Sequence, residues 1–164
     1  MKVLVAYASE RGGTAEIAEW IGAELLSTGL DAEVSPAGDV TTIDGFDAVV
    51  LGGALYAGRW HREARHFVRH HAGALADRPV WLFSSGPLDH SAEQGEIGPV
   101  PGVAKFARRV GARGHATFGG RLDPEARGFL TSRIAQRAAG DFRDRDRVRA
   151  WTDGIAEDLR AVNA

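Results

Sequence analysis

Val3-Leu4-Val5-Ala6-Tyr7-Ala8 runs straight into Ser9-Glu10-Arg11-Gly12-Gly13-Thr14, and the residues from Ala15 to Leu26 follow with helical patterning. The order is strand, hydroxyl- and glycine-rich loop, helix. Such a loop presents backbone N–H groups at a helix N-terminus, where the macrodipole favours an anion. Gly12 and Gly13 permit close backbone approach and positive φ. Ser9 and Thr14 add hydroxyl donors, and Glu10 and Arg11 complete the loop. The ligand this suggests is a phosphate ester. The spacing is not the dinucleotide fingerprint G-x-G-x-x-G, and no Lys follows the last glycine as a Walker A loop requires. The plainer alternative is an ordinary βα turn with Thr14 as helix cap.

Outward from this turn, strand and helix signals alternate. Ile17, Ile21 and Leu25 share one face of a helix over Thr14–Ser27, with Gly29 at its C-terminal end. Ala32–Ser35 alternates as an edge strand does. Ala48-Val49-Val50-Leu51 is a continuous apolar run that Gly52-Gly53 is expected to end. Ala64, Phe67, Val68 and Leu75 mark a second helix, and Val80-Trp81-Leu82-Phe83 a third buried strand closed by Ser84-Ser85-Gly86-Pro87. Val103, Phe106, Ala107 and Val110 mark another helix, and His115–Phe118 a short strand. Asp123-Pro124-Glu125 is a helix start, with Gly140 at that helix's end. A final helix carries Val148, Trp151, Ile155 and Leu159 on one face.

This alternation implies a parallel sheet covered on both faces. The spacing fits an α/β, flavodoxin-like, doubly wound five-stranded sheet of order 2-1-3-4-5. The 164 residues suit a single domain spanning 1–164. In such sheets a ligand lies beyond the carboxyl ends of the strands, at the switch point beside strand 1.

Composition narrows the chemistry. Cysteine is absent, which excludes disulfides, thiolate catalysis and Cys-held metal centres. Redox chemistry would then require a bound organic cofactor. The net charge is −2, and no basic run is dense enough to argue for nucleic acid. Lys2 and Lys105 are the only lysines, so the basic charge is nearly all Arg, the side chain suited to carboxylate and phosphate. No apolar run reaches spanning length, and the first one is too short for a signal peptide. A cytoplasmic location is expected, with peripheral membrane contact left open; oligomeric state is not legible.

Three loops converge on the rim. Beside Ser9–Thr14 stand Ala54-Leu55-Tyr56-Ala57-Gly58-Arg59-Trp60-His61, behind the tight-turn glycines Gly52-Gly53, and the small residues Ser84, Ser85, Gly86 and Pro87. A phosphate loop, an aromatic loop and a small polar loop are what FMN needs: donors for its phosphate, Tyr56 or Trp60 against its ring, and N–H groups along the ring edge. Surface packing over the next helix is the alternative for the two aromatics. Arg59 and Arg62, near the pocket mouth, are placed to pair carboxylates of a substrate. Arg65 and Arg69 read as a solvated helix face. His61, His66, His70 and His71 lack the carboxylate and motif of a metal site. The run Arg143–Arg149 reads as a helix start laced with local ion pairs. No catalytic side chain is assigned; no hydrolase elbow stands at Ser84-Ser85-Gly86.

Ser9-x-x-Gly12-x-Thr14 resembles the phosphate loop of the flavodoxin superfamily. More narrowly, that loop, the segment Gly52–His61, the helix with Phe67-Val68 and the amphipathic stretch Gly120–Asp141 resemble the menaquinone-dependent protoporphyrinogen IX dehydrogenases. The resemblance implies FMN, a porphyrinogen substrate whose electrons pass to a quinone, and no protein nucleophile. Pro87 and Leu88 stand where many flavodoxins have a second stacking aromatic, and Arg121–Arg143 is poor in aromatics. The alternative is an FMN electron carrier, against which the near-neutral charge argues, or a regulatory flavodoxin-like module without its own substrate.

Overall fold

The computed structural model describes residues 1–9, 12–86, 98–119 and 144–162, and the backbone of 121–122 and 140–141. Five parallel strands form its centre: β1 (Lys2–Ala8), β2 (Asp31–Pro36), β3 (Ala48–Tyr56), β5 (Val80–Ser85) and β6 (Gly114–Phe118). Their order is β2-β1-β3-β5-β6. A two-residue strand, β4 (Arg59–Trp60), folds back antiparallel onto the end of β3. The parallel core therefore has the doubly wound order expected, with one hairpin added.

Side-chain alternation along the strands sorts the core into two layers. Leu4, Val49, Leu51, Val80 and Leu82 point one way, toward α2 (Arg62–Ala76) and α3 (Pro101–Val110). Val3, Val5, Val50, Trp81 and Phe83 point the other way, toward α1 (Gly13–Ser27) and α4 (Arg145–Val162). Both faces being covered, the strands read as unbroken apolar runs. β2, at the edge, alternates between exposed and half-buried residues.

Gly52 and Gly53 do not end the third strand. They lie within it, paired in register with β1 on one side and with Phe83 and Ser84 on the other. The reason is steric. A Cβ on Gly52 would sit 1.9 Å from Cζ of Phe83, and one on Gly53 would sit 2.6 Å from Nε1 of Trp60. The two glycines make room for rings on opposite faces of the sheet. Gly29, with φ +92, follows α1 as expected.

Arg78 ties the approach to β3. Its Nη1 donates to the carbonyls of Ile43 (2.7 Å) and Phe46 (2.9 Å), and its Nε to that of Ala74 (2.9 Å). The arginines opening α4 also reach other elements. Arg147 donates to the carbonyl of Thr117 at 2.9 Å, Arg149 stands 3.7 Å from Glu24, and Arg145 lies over Trp20. Beside the local pairing expected of this run, these contacts fasten α4 to β6 and α1. Residues 121–122 pair with 140–141 as a two-stranded antiparallel ladder, so Gly140 lies in a strand. The helix expected between them lies outside the described residues. No helix among the described residues is long and apolar enough to cross a membrane.

Candidate functional site

The first turn is built around Gly12. Its φ is +84, and it is the N-cap of α1, a position at which glycine has no side chain to offer the first N–H groups of the helix. A Cβ there would meet nothing within 4 Å, so the constraint on this position is conformational. Gly13 is already helical. Thr14 lies inside the first helical turn, 1 % exposed, and is not the cap that the ordinary-turn alternative requires. A helix that opens on glycine presents backbone N–H groups toward the loop, which suits an incoming anion. Ser9 follows directly on β1. Glu10 and Arg11 lie outside the described residues.

The second loop is a hairpin. Tyr56 pairs with Arg59, and the two residues between them, Ala57 and Gly58, have φ of +50 and +76. Two successive positive φ values give the turn whose twist suits a two-residue hairpin. The turn holds Tyr56 at the tip of β3, 38 % exposed, its ring 5.9 Å from that of His61. Ala54 is buried, and Leu55, opposite Trp60, is half-buried. His61 caps α2: its Nδ1 accepts from the N–H of Glu63 at 3.0 Å.

Trp60 is turned the other way. It is 2 % exposed, set over Gly53 and stacked on Phe106 with centroids 6.2 Å apart. Its Nε1 is buried without a partner among the described residues. Of the two aromatics expected near a flavin, only Tyr56 presents its ring to solvent.

The third loop departs from expectation in one donor. Gly86, at φ +127, gives its N–H to the carbonyl of Phe118 at 2.9 Å. That N–H is committed to the sheet and is not available to a ring edge. Ser84 and Ser85 are buried at the end of β5, and Pro87 lies outside the described residues. Ser84 Oγ lies 3.1 Å from Nε2 of His115 on β6. Burial lowers the His115 pKa to about 4, so the ring is neutral near pH 7, and its Nδ1 has no partner among the described residues.

The cationic side chains divide. Arg62 is exposed at the first position of α2. Arg59 lines a cleft of about 360 Å³ together with Arg65, Arg69, Lys105 and Arg109. Sequence reading did not single out the last two, and took Arg65 and Arg69 for a solvated face. The signal available was the shared i, i+4 spacing, which puts each pair on one side of its helix. The histidines of α2 serve packing. His71 is buried against Phe67, and burial followed by the neighbouring His70 lowers its pKa. His66 and His70 stack on the exposed side.

Comparison with known proteins agrees with this geometry. The chain is 30 % identical over 111 residues to the protoporphyrinogen IX dehydrogenase [quinone] of Escherichia coli K12, a match covering 66 % of this chain and 59 % of that protein. Among solved structures, a flavodoxin from the domain Archaea superposes with a TM-score of 0.64 at 18 % identity, covering 98 % of this chain and 99 % of the other. The rubredoxin:oxygen oxidoreductase of Desulfovibrio gigas superposes with a TM-score of 0.69 at 13 % identity, with 99 % of this chain on 37 % of that larger one. These two likenesses concern the fold. The family described as the flavodoxin domain matches residues 4–139. With that match running over most of its length, and with α1 opening on a positive-φ glycine directly after the first strand and its loop, this protein belongs to the flavodoxin domain family as an FMN-binding member.

Proposed function

We propose that the protein is an FMN-dependent dehydrogenase that oxidises a porphyrinogen-like substrate and hands the electrons to a quinone. Its relative in Escherichia coli carries that activity in its name. The observation that carries the reading is the β3–β4 hairpin, which sets a solvent-facing tyrosine and a guanidinium side by side at Tyr56 and Arg59. A guanidinium beside the ring that would stack on the flavin suits a carboxylated substrate lying against that flavin.

The flavin supplies two-electron chemistry, and the protein supplies placement. The N-terminus of α1, with Ser9, Gly12, Gly13 and Thr14, holds the phosphate; Glu10 and Arg11 complete that loop. Tyr56 covers one face of the ring. Ala54, Leu55, Ala57 and Gly58 form the wall beside it, and Ser84, Ser85, Gly86 and Pro87 bound its far edge. Trp60 contributes from beneath, by holding the hairpin to α3. Arg59 and Arg62 receive substrate carboxylates.

The test is anaerobic. Oxidised holoprotein is mixed with protoporphyrinogen IX and the loss of flavin absorbance is followed; a menaquinone analogue is then added. Bleaching followed by recovery is the expected result. No bleaching by the porphyrinogen, together with rapid electron exchange with a flavodoxin reductase, establishes an electron carrier instead.

A further inference from the structure

The cleft between α2 and α3 concentrates positive charge in a protein whose net charge is −2. Arg65 and Arg69 form one wall from successive turns of α2. Lys105 and Arg109 form the other from successive turns of α3. Arg59 stands at the mouth, beside Gly58 of the hairpin turn. Trp60, Phe106, Val100 and Val103 supply an apolar floor. No carboxylate among the described residues lines the cleft.

Two of these cations are already fixed in place. Arg65 donates from Nε to the carbonyl of Trp60 at 3.1 Å, and Arg69 lies 5.6 Å from the Phe106 ring centroid. Fixing them lowers the side-chain entropy that a ligand would otherwise have to overcome. Partial burial, then the neighbouring charges of Arg59, Arg69 and Arg62, push the Arg65 pKa down from its usual value. Like charges crowded into a concavity repel, and an anion seated among them relieves that repulsion.

We propose that this cleft is a binding site for a small anion carrying at least two oxyanion groups, carboxylate or phosphate. Two groups match cations presented by two helices, one group for each wall. Guanidinium forks hold either oxyanion in bidentate fashion. A volume of about 360 Å³ falls at the small end of the range for small-molecule pockets. The cleft shares Arg59 and the hairpin turn with the proposed substrate site, but its walls lie on α2 and α3, away from the phosphate loop that opens α1, and the Lys105/Arg109 variant below tests it apart from the flavin reading.

The test uses the full chain in low-salt buffer with isothermal titration calorimetry. Citrate and pyrophosphate are the probes, with acetate as the monovalent control. Saturable one-to-one binding of citrate, pyrophosphate or both is expected, and which of them binds tells carboxylate from phosphate. The double variant Lys105→Gln/Arg109→Gln should weaken that binding at least tenfold. Arg113→Gln, which removes a surface cation outside the cleft, should leave it unchanged. FMN affinity should be the same in all three proteins. Absence of saturable binding, acetate binding as well as citrate, equal loss in Arg113→Gln, or full binding in the double variant each overturns the proposal. Capture of phosphatidylglycerol vesicles without binding of either small anion also overturns it, in favour of a lipid surface.

Discussion

Replacing Gly52 by alanine should destabilise the protein by about 3 kcal/mol, the upper end of the usual range for overpacking. The added methyl would lie 1.9 Å from Cζ of Phe83 and 2.2 Å from both Cε atoms. Carbon atoms prefer separations of about 3.5 Å or more, so ring and strand must part by about 1.5 Å. Neither has room. Phe83 is fully buried, with Phe118 and Trp151 each 6.2 Å away centroid to centroid. The backbone at Gly52 is pinned in register to Tyr7 on one side and Phe83 on the other. With a urea slope of about 2 kcal/mol per molar, the unfolding midpoint should drop by about 1.5 M. The companion variant Gly52→Ala/Phe83→Leu trims the ring that the methyl strikes. It should recover at least about 1 kcal/mol relative to the sum of the two single changes. A Gly52→Ala protein within about 0.5 kcal/mol of the parent, or strict additivity in the double variant, refutes the claim that ring clearance dictates glycine here.

Thr14→Val removes a buried hydroxyl from the first turn of α1 at nearly constant volume and should cost about 1–3 kcal/mol of FMN binding; titration of apoprotein with FMN and with riboflavin measures it, and an unchanged FMN affinity places the phosphate elsewhere. Tyr56→Ala should restore fluorescence to bound FMN, whereas Trp60→Phe, altering a ring buried on Phe106, should leave quenching intact; steady-state emission of the two holoproteins separates them. His115 has a folded pKa of about 4 against an ordinary 6.5, so the unfolded chain takes up its proton first as pH falls. The associated stability is complete above pH 6.5 and is lost between there and pH 4, amounting to about 1–2 kcal/mol once partial exposure is allowed for. Urea midpoints for the parent and His115→Gln at pH 7 and 4.5 should therefore converge as pH falls, and a constant gap sinks the assignment.

The parallel sheet was legible because strands buried on both faces leave continuous apolar runs, as Val3–Ala8 and Val80–Phe83 do. The first loop was legible because hydroxyls and glycines stand between a strand and a helix with no intervening residues. Gly52-Gly53 misled because glycine marks both turns and close approach, and the rings that demand it, Phe83 and Trp60, come later in the chain. Tyr56 and Trp60 looked equivalent because the intervening turn, which sends one outward and the other inward, depends on a positive φ at Ala57 that its residue type does not announce. The cationic cleft stayed hidden because its two walls belong to separate helices, each of which reads alone as an ordinary charged face.

The pairing of α1 with α4 bears on how the protein acquires its cofactor during synthesis. The loop expected to hold the FMN phosphate is synthesised well ahead of α4. Yet α1, which it opens, buries Ile17, Ile21 and Leu25 in a layer shared with Val148, Ile155 and Leu159 of α4. More than a hundred residues lie between those two helices. At translation rates of about 5–20 residues per second, the nascent α1 waits on the order of ten seconds for that partner. In that interval the anion site exists only as sequence, and its apolar stripe is open to aggregation. Flavin capture is therefore expected late in the life of the chain, and a polypeptide stalled before residue 145 should gain little from abundant FMN.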